Sequence, residues 1–212
     1  METRNQQPEI ERRSFPVAEL RVEQSEGQAP KIRGYAAVFG QRSEDLGGFV
    51  EQIAPGAFRG SIAKDDIRAL WNHNSDVVLG RNLAGTLRLT EDERGLSVEI
   101  DPPDTQAARD AMTLIRRGDV SQMSFGFFTS RDQWNESKGE VPLRTLMEVR
   151  LFDVSPVAFP AYPQTSVAVR SMGVWRAQEV AGDVPEAEAV SVVVPAAGLD
   201  LAQAWQRQRE AE

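Results

Sequence analysis

Three side chains in this sequence have the types that acyl-transfer chemistry needs. Ser124 opens a glycine-spaced aromatic run, QMSFGFFTS, over residues 122–130. His73 is the only histidine in the chain. Glu148 interrupts an apolar stretch, TLMEVRLFDVSPV, over residues 145–157. A hydroxyl is a weak nucleophile until a neighbouring base takes its proton. A neutral imidazole serves as that base at one nitrogen while an acceptor holds the other. Any imidazole base here must therefore be His73. Spacing alone does not choose the acid, because Asp153 interrupts the same stretch. The two acids differ in parity, so on a regular strand they point to opposite faces. A buried acid needs a partner. Arg150 is a structural candidate for either, and His73 is the functional one.

Each of these residues also has an ordinary reading. A serine in a strand is usually just a hydrogen-bonded polar residue, and Ser121, Ser155 and Ser166 sit in comparable settings. No G-x-S-x-G elbow is present, and Ser124 follows a helix C-terminus, so no helix dipole is available there for an oxyanion. A lone histidine is commonly satisfied in a core or loop, and Asn72 and Asn74 offer it either hydrogen bonds or a turn. As a metal ligand it has only Asp76 near it in sequence, which is no metal site. Acidic runs such as Asp65-Asp66 and Glu91-Asp92-Glu93 fall at turns and read as solvated. On pattern alone the chain supports a serine hydrolase without specifying one.

Composition narrows the alternatives. The formal charge of −8 argues against a nucleic-acid binder, which needs clustered Lys and Arg. With no cysteine, disulfides and thiolate chemistry are excluded. The stretch METRNQQPEIERR lacks the apolar core of a secretory signal. No segment approaches the roughly 20 apolar residues that span a bilayer. The expectation is a soluble protein with no membrane partner, no cofactor and no metal.

The elements that must position these side chains are read from pattern. Residues 1–13 read as a polar, flexible leader. Residues 15–22 and 31–39 read as strands, and 49–53 as extended. Pro55 suits a first helical turn, predicting a helix to about Ala63. Residues 67–73 read as a strand placing His73 on the same face as Trp71. Residues 85–90 and 96–100 flank a charged turn with Gly95 and form a hairpin. Asp104 or Thr105 can cap a helix over 106–117 with Ala108, Ala111, Met112 and Ile115 as its apolar stripe. Residues 120–129 form the central strand, 131–140 a polar connection, 143–157 a strong strand and 166–169 a last short one. Beyond Arg170 the chain turns acidic and linker-like, with an amphipathic helix over 200–210. One β-rich domain, about residues 14–170, thus stands between the leader and an arm over 171–212.

The ordered series of segments carries a resemblance. RGYAAVFG, DLGGFVEQIAPGAF, ALWNHN with VLGR, GLSVEID, GDVSQMSFGF and MEVRLFDVSPVAFPAYP occur in that order. Over about residues 31–165 this resembles the prohead proteases of tailed bacteriophages, which are similar to herpesvirus assemblin. The resemblance implies a β-rich α+β fold, a closed β-barrel core surrounded by a few helices. It implies serine endopeptidase chemistry with His73 and Ser124 as base and nucleophile. It carries the third member to Glu148, with Asp153 as the competitor. The implied partners are the major capsid protein, its scaffold segment or a separate scaffold protein, and the protease itself through autoproteolysis in an oligomer. The implied location is the assembling procapsid in the bacterial cytoplasm. A reading from a different class is a non-catalytic assembly module built on the same barrel.

Overall fold

The computed structural model describes residues 10–15, 19–137, 139–159 and 171–177. Contacts divide the chain into Met1–Ala177 and Gln178–Glu212. The second unit, with the helix expected over 200–210, lies outside the described residues, as does the strand expected over 166–169.

The first unit is built from two sheets. One has six strands. Its path runs β1 (Glu11–Phe15), β9 (Gln122–Asn135), β10 (Leu143–Val157), β5 (Arg68–Trp71), β6 (Asn74–Arg81), and β4 (Val50–Ile53) pairs with β10 off that path. The other runs β2 (Arg21–Glu23), β3 (Lys31–Val38), β8 (Gly95–Ile100), β7 (Leu87–Glu91). The chain is β-rich with few helices, as expected. Among the described residues, the ladders close neither sheet into the barrel expected from the resemblance. Instead the apolar faces of the two sheets share one core. Phe125 meets Phe58 edge-on at 5.5 Å and stacks on Phe127 at 5.0 Å, while Ile32, Val98 and Ile100 come from the second sheet.

β9 and β10 are the long central pair, rich in the aromatic and β-branched residues that fit a pleated, buried surface. β9 continues through Asn135, so much of the expected polar connection is strand with alternating exposure. β10 is irregular. Its register against β9 shifts around Glu148 and again between Leu151 and Asp153. Such bulges re-aim the side chains beyond them.

Two helices lie among the strands of the unit, and residues 171–177, expected to open the linker-like arm, are helical as well. α2 (Gln106–Arg117) matches the expected span. Thr105 caps it by accepting from the Ala108 N–H, the four expected apolar residues are buried, and Gly118 closes it at φ +82°. α1 (Arg59–Lys64) starts later than expected, because Pro55 lies in a turn with Gly56 at φ +94°. No helix among the described residues is long and apolar enough to cross a membrane.

Residues 11–13, expected to belong to a flexible leader, are instead part of β1, which pairs with β9 from Phe127 to Met123. The residues that make it a strand are charged, which is why pattern missed it. Arg13 binds Glu51 at 2.8 Å and Glu11 at 2.7 Å; Arg144 binds Glu11 at 2.8 Å, Glu51 at 3.0 Å and Asp132 at 2.7 Å. Glu11, Arg13, Glu51 and Arg144 are all buried. Burial by itself would raise the Glu11 carboxyl, but Arg144 and then Arg13 overcome it and hold the group below its usual range. Burial likewise opposes charge on Arg13, and Glu51 and Glu11 outweigh it.

Candidate active site

His73 is held by a turn rather than by the strand expected over 67–73. β5 ends at Trp71, which pairs with Asn74, leaving Asn72 and His73 as a two-residue hairpin loop. Both have positive φ, +52° and +59°. That is the type I′ geometry whose second position usually takes glycine. A side chain there is a local strain that the surroundings must hold in place. Asn72 anchors the turn to the end of β10, with its N–H donating to the Pro156 carbonyl and its Oδ1 accepting from the Ala158 N–H. Asn74 accepts from the Asp76 N–H. The flanking asparagines thus serve the turn.

The imidazole that this turn presents is nearly buried, with 10% of its side-chain surface exposed. Nδ1 lies 2.6 Å from Asp153 Oδ2. An ionised carboxylate only accepts, so a neutral ring carries its proton on Nδ1 and leaves a lone pair on Nε2. Nε2 is buried and has no hydrogen-bond partner among the described residues. A ring held in this way can accept a proton at Nε2.

Asp153 itself is 1% exposed and lies opposite Gly126 across the β9–β10 ladder. A Cβ at position 126 would come 2.5 Å from Asp153 Oδ1. The glycine of the MSFGF run therefore makes room for the carboxylate. Ser155, two residues along β10, donates to Asp153 Oδ2 at 2.6 Å and accepts from the His73 N–H at 3.3 Å.

Ser124 faces Ser155 across the same ladder, and facing residues of an antiparallel pair project to one side. Ser124 is thereby placed next to the Asp153–Ser155–His73 group, on the sheet face shared with Gly126. It is fully buried, and its hydroxyl donates to the Arg13 carbonyl of β1 at 3.0 Å.

Glu148 does not join this group. It is exposed, and its Oε1 lies toward α1, 3.6 Å from where a Cβ on Gly60 would be. The structure places Asp153, not Glu148, on the imidazole. The physical reason is the irregular register of β10, which separates the two acids by bulges that strand parity cannot see. Arg150, the alternative partner for either acid, lies instead 3.4 Å from Asp65.

The family match takes in this same region of the chain. Residues 17–178 match the model of the caudovirus prohead serine proteases. The chain belongs to that family. A search of curated proteins returns no match. Among solved structures, the chain is similar to the capsid assembly protease gp21 of bacteriophage T4, with 8% sequence identity and a TM-score of 0.43. That likeness covers 72% of this chain and 99% of the T4 chain. Membership rests on the family match, whose span takes in β2 to β10 and with them His73, Ser124 and Asp153.

Pattern singles out His73 and Ser124 and leaves Glu148 and Asp153 both open, and the resemblance carries the third place to Glu148. Neither reveals the room that Gly126 leaves for Asp153 or the contacts of Ser155. The signal for the glycine was its place in an otherwise aromatic strand, where a missing side chain marks a close approach.

Proposed function

We propose that the chain is a prohead serine endopeptidase in which Ser124 is the nucleophile, His73 the general base and Asp153 the orienting acid. The observation that carries this reading is the 2.6 Å contact of His73 Nδ1 with buried Asp153, with Nε2 unpartnered among the described residues. In the reaction Ser124 Oγ attacks the scissile carbonyl while its proton passes to Nε2. The imidazolium, stabilised by Asp153, then returns a proton to the leaving amine. Water attacks the acyl-enzyme in the second half, with His73 again taking the proton.

On this reading, the arrangement described above is the resting one. The Ser124 hydroxyl bonds the Arg13 carbonyl, and the residue has no solvent exposure. Attack requires the hydroxyl to turn from that carbonyl to Nε2 and the buried serine to become accessible to a peptide. Catalytic hydrogen bonds often tighten only once substrate is bound.

The substrates that fit a capsid-assembly role are the major capsid protein's scaffold segment, or a separate scaffold protein, and the protease's own arms. The site of action is the assembling procapsid in the host cytoplasm. The test is co-expression of the chain with the major capsid protein of the same particle. Shortening of the capsid or scaffold protein is expected with the parent chain and absent with Ser124→Ala. Equal shortening with both would leave the non-catalytic assembly module as the better reading.

A further inference from the structure

We infer that Ser155 is a positioning residue that fixes both ends of His73, and so selects the imidazole tautomer on which Ser124 depends. The inference rests on the triad reading above. Four hydrogen-bonding groups form a closed ring. The His73 backbone N–H donates to Ser155 Oγ at 3.3 Å, and the Ser155 hydroxyl donates to Asp153 Oδ2 at 2.6 Å. That same oxygen meets His73 Nδ1 at 2.6 Å. The ring begins and ends on one residue, so it ties the backbone of His73 to its side chain.

Two features make this more than a satisfied strand serine. His73 sits at φ +59°, where a non-glycine residue persists only if its surroundings over-determine it. The bond to Ser155 Oγ reaches that strained residue's own N–H. Second, Asp153 presents two oxygens, and the one facing the imidazole is also the one that Ser155 engages. Ser155 thereby fixes which oxygen faces the ring. Both Ser155 and Asp153 are essentially unexposed, so water does not readily replace the lost hydroxyl.

The unique histidine makes the test direct. Histidine labelled with ¹⁵N gives a single imidazole, and its two nitrogen shifts report the tautomer. The spectra are taken on the full chain carrying Ser124→Ala, to prevent self-cleavage. Reactivity is read on chains with Ser124 intact as the second-order rate of labelling by a fluorophosphonate. In that step the Ser124 Oγ–P bond forms, the P–F bond breaks, fluoride leaves and the proton goes to His73. Ser155→Thr and Ser155→Val are compared, because they match in volume and differ in the hydroxyl.

With Thr, the parent tautomer and at least a tenth of the parent labelling rate are expected. With Val, tautomer averaging and a fall of about 10²-fold are expected, the scale of an ångström-sized misplacement. Identical nitrogen shifts and rates for Thr and Val would overturn the inference, as would mapping the label to Ser155. If the parent chain neither labels nor shortens co-expressed capsid protein while Val still shifts the tautomer, the protease reading fails and the selection of the tautomer by Ser155 stands.

Discussion

Replacing Gly126 by alanine probes the site at its tightest point. The backbone at 126 is ordinary extended strand, so the added methyl does not strain φ or ψ; it strains Asp153. The new Cβ would lie 2.5 Å from Oδ1, whereas ordinary contact begins at 3.4 Å. The carboxylate must therefore retreat by about 0.9 Å, since Ile10 on β1's side of the glycine already stands 3.5 Å from the same point and blocks an easy shift of the methyl. If Oδ2 moves with it, its 2.6 Å contact with Nδ1 lengthens to about 3.5 Å, beyond hydrogen-bonding range. If the carboxylate rotates instead, it gives up Ser155 or the imidazole. Misplacement on this scale lowers reactivity ~10²-fold, and complete loss of the acid's role sets a limit of ~10⁴-fold. Overpacking should also lower stability by ~1–3 kcal/mol. The assay is the rate of fluorophosphonate labelling beside a urea titration of the same protein. Gly60→Ala is the control, since its Cβ would make only ordinary contact with Glu148 at 3.6 Å. It should keep the parent rate and, within α1, cost nothing in stability. A folded Gly126→Ala protein that labels within about threefold of the parent would refute the placement of Asp153 in the mechanism.

Asp153→Asn should reduce labelling ~10²- to 10⁴-fold by losing the anionic acceptor that fixes the imidazole, while Glu148→Gln should label as the parent does; the reverse ranking would restore Glu148. Arg144→Met leaves Glu11 and Glu51 to share Arg13 alone in a site only a few per cent exposed, so a loss of ~3–5 kcal/mol is expected from urea unfolding, and a loss under about 1 kcal/mol would show that the cluster contributes little. The Glu11 carboxyl lies below its ordinary value of 4.5 in the folded state, so its contribution is present above that pH and is lost as pH falls through the depressed folded value. Urea midpoints for the parent should therefore drop as pH falls below about 4.5, and Glu11→Gln should flatten part of that drop; parallel curves would contradict the assignment.

Much of the scaffold was legible because its signals are local. The hairpin of β7 and β8 and the capped helix α2 each carry their own turn or cap chemistry, and the long strands β9 and β10 carry their aromatic and β-branched residues. What escaped was set by long-range pairing. β1 is a strand because Arg13 and Glu11 meet Glu51 and Arg144, partners far away in the chain. β6 pairs with β5 through a turn whose residues, Asn72 and His73, gave the weaker Asn-X form of the usual Asn-Gly signal. Barrel closure likewise depends on which edges meet, and the ladders among the described residues do not show it. His73 and Ser124 were visible as unusual residue types in motif-like runs. The choice between Glu148 and Asp153 was not, because alternation assumes a regular strand and β10 slips its register between them.

The same slip explains why the acid is where it is. A bulge inserted before Asp153 gives β10 a surplus residue, Phe152, and re-aims the side chains beyond it. Asp153 and Ser155 then share a face with Gly126 and Ser124, and the residue opposite Asp153 is the one that lacks a side chain. On the other edge of β9, β1 brings the Arg13 carbonyl to the Ser124 hydroxyl. That carbonyl belongs to a residue whose side chain is locked into the buried ion cluster. The cluster and the site are thus joined through one backbone unit. The charges that hold β1 in place also hold the carbonyl that the Ser124 hydroxyl bonds, so on the proposed mechanism the stability of this edge strand and the release of Ser124 draw on one set of contacts.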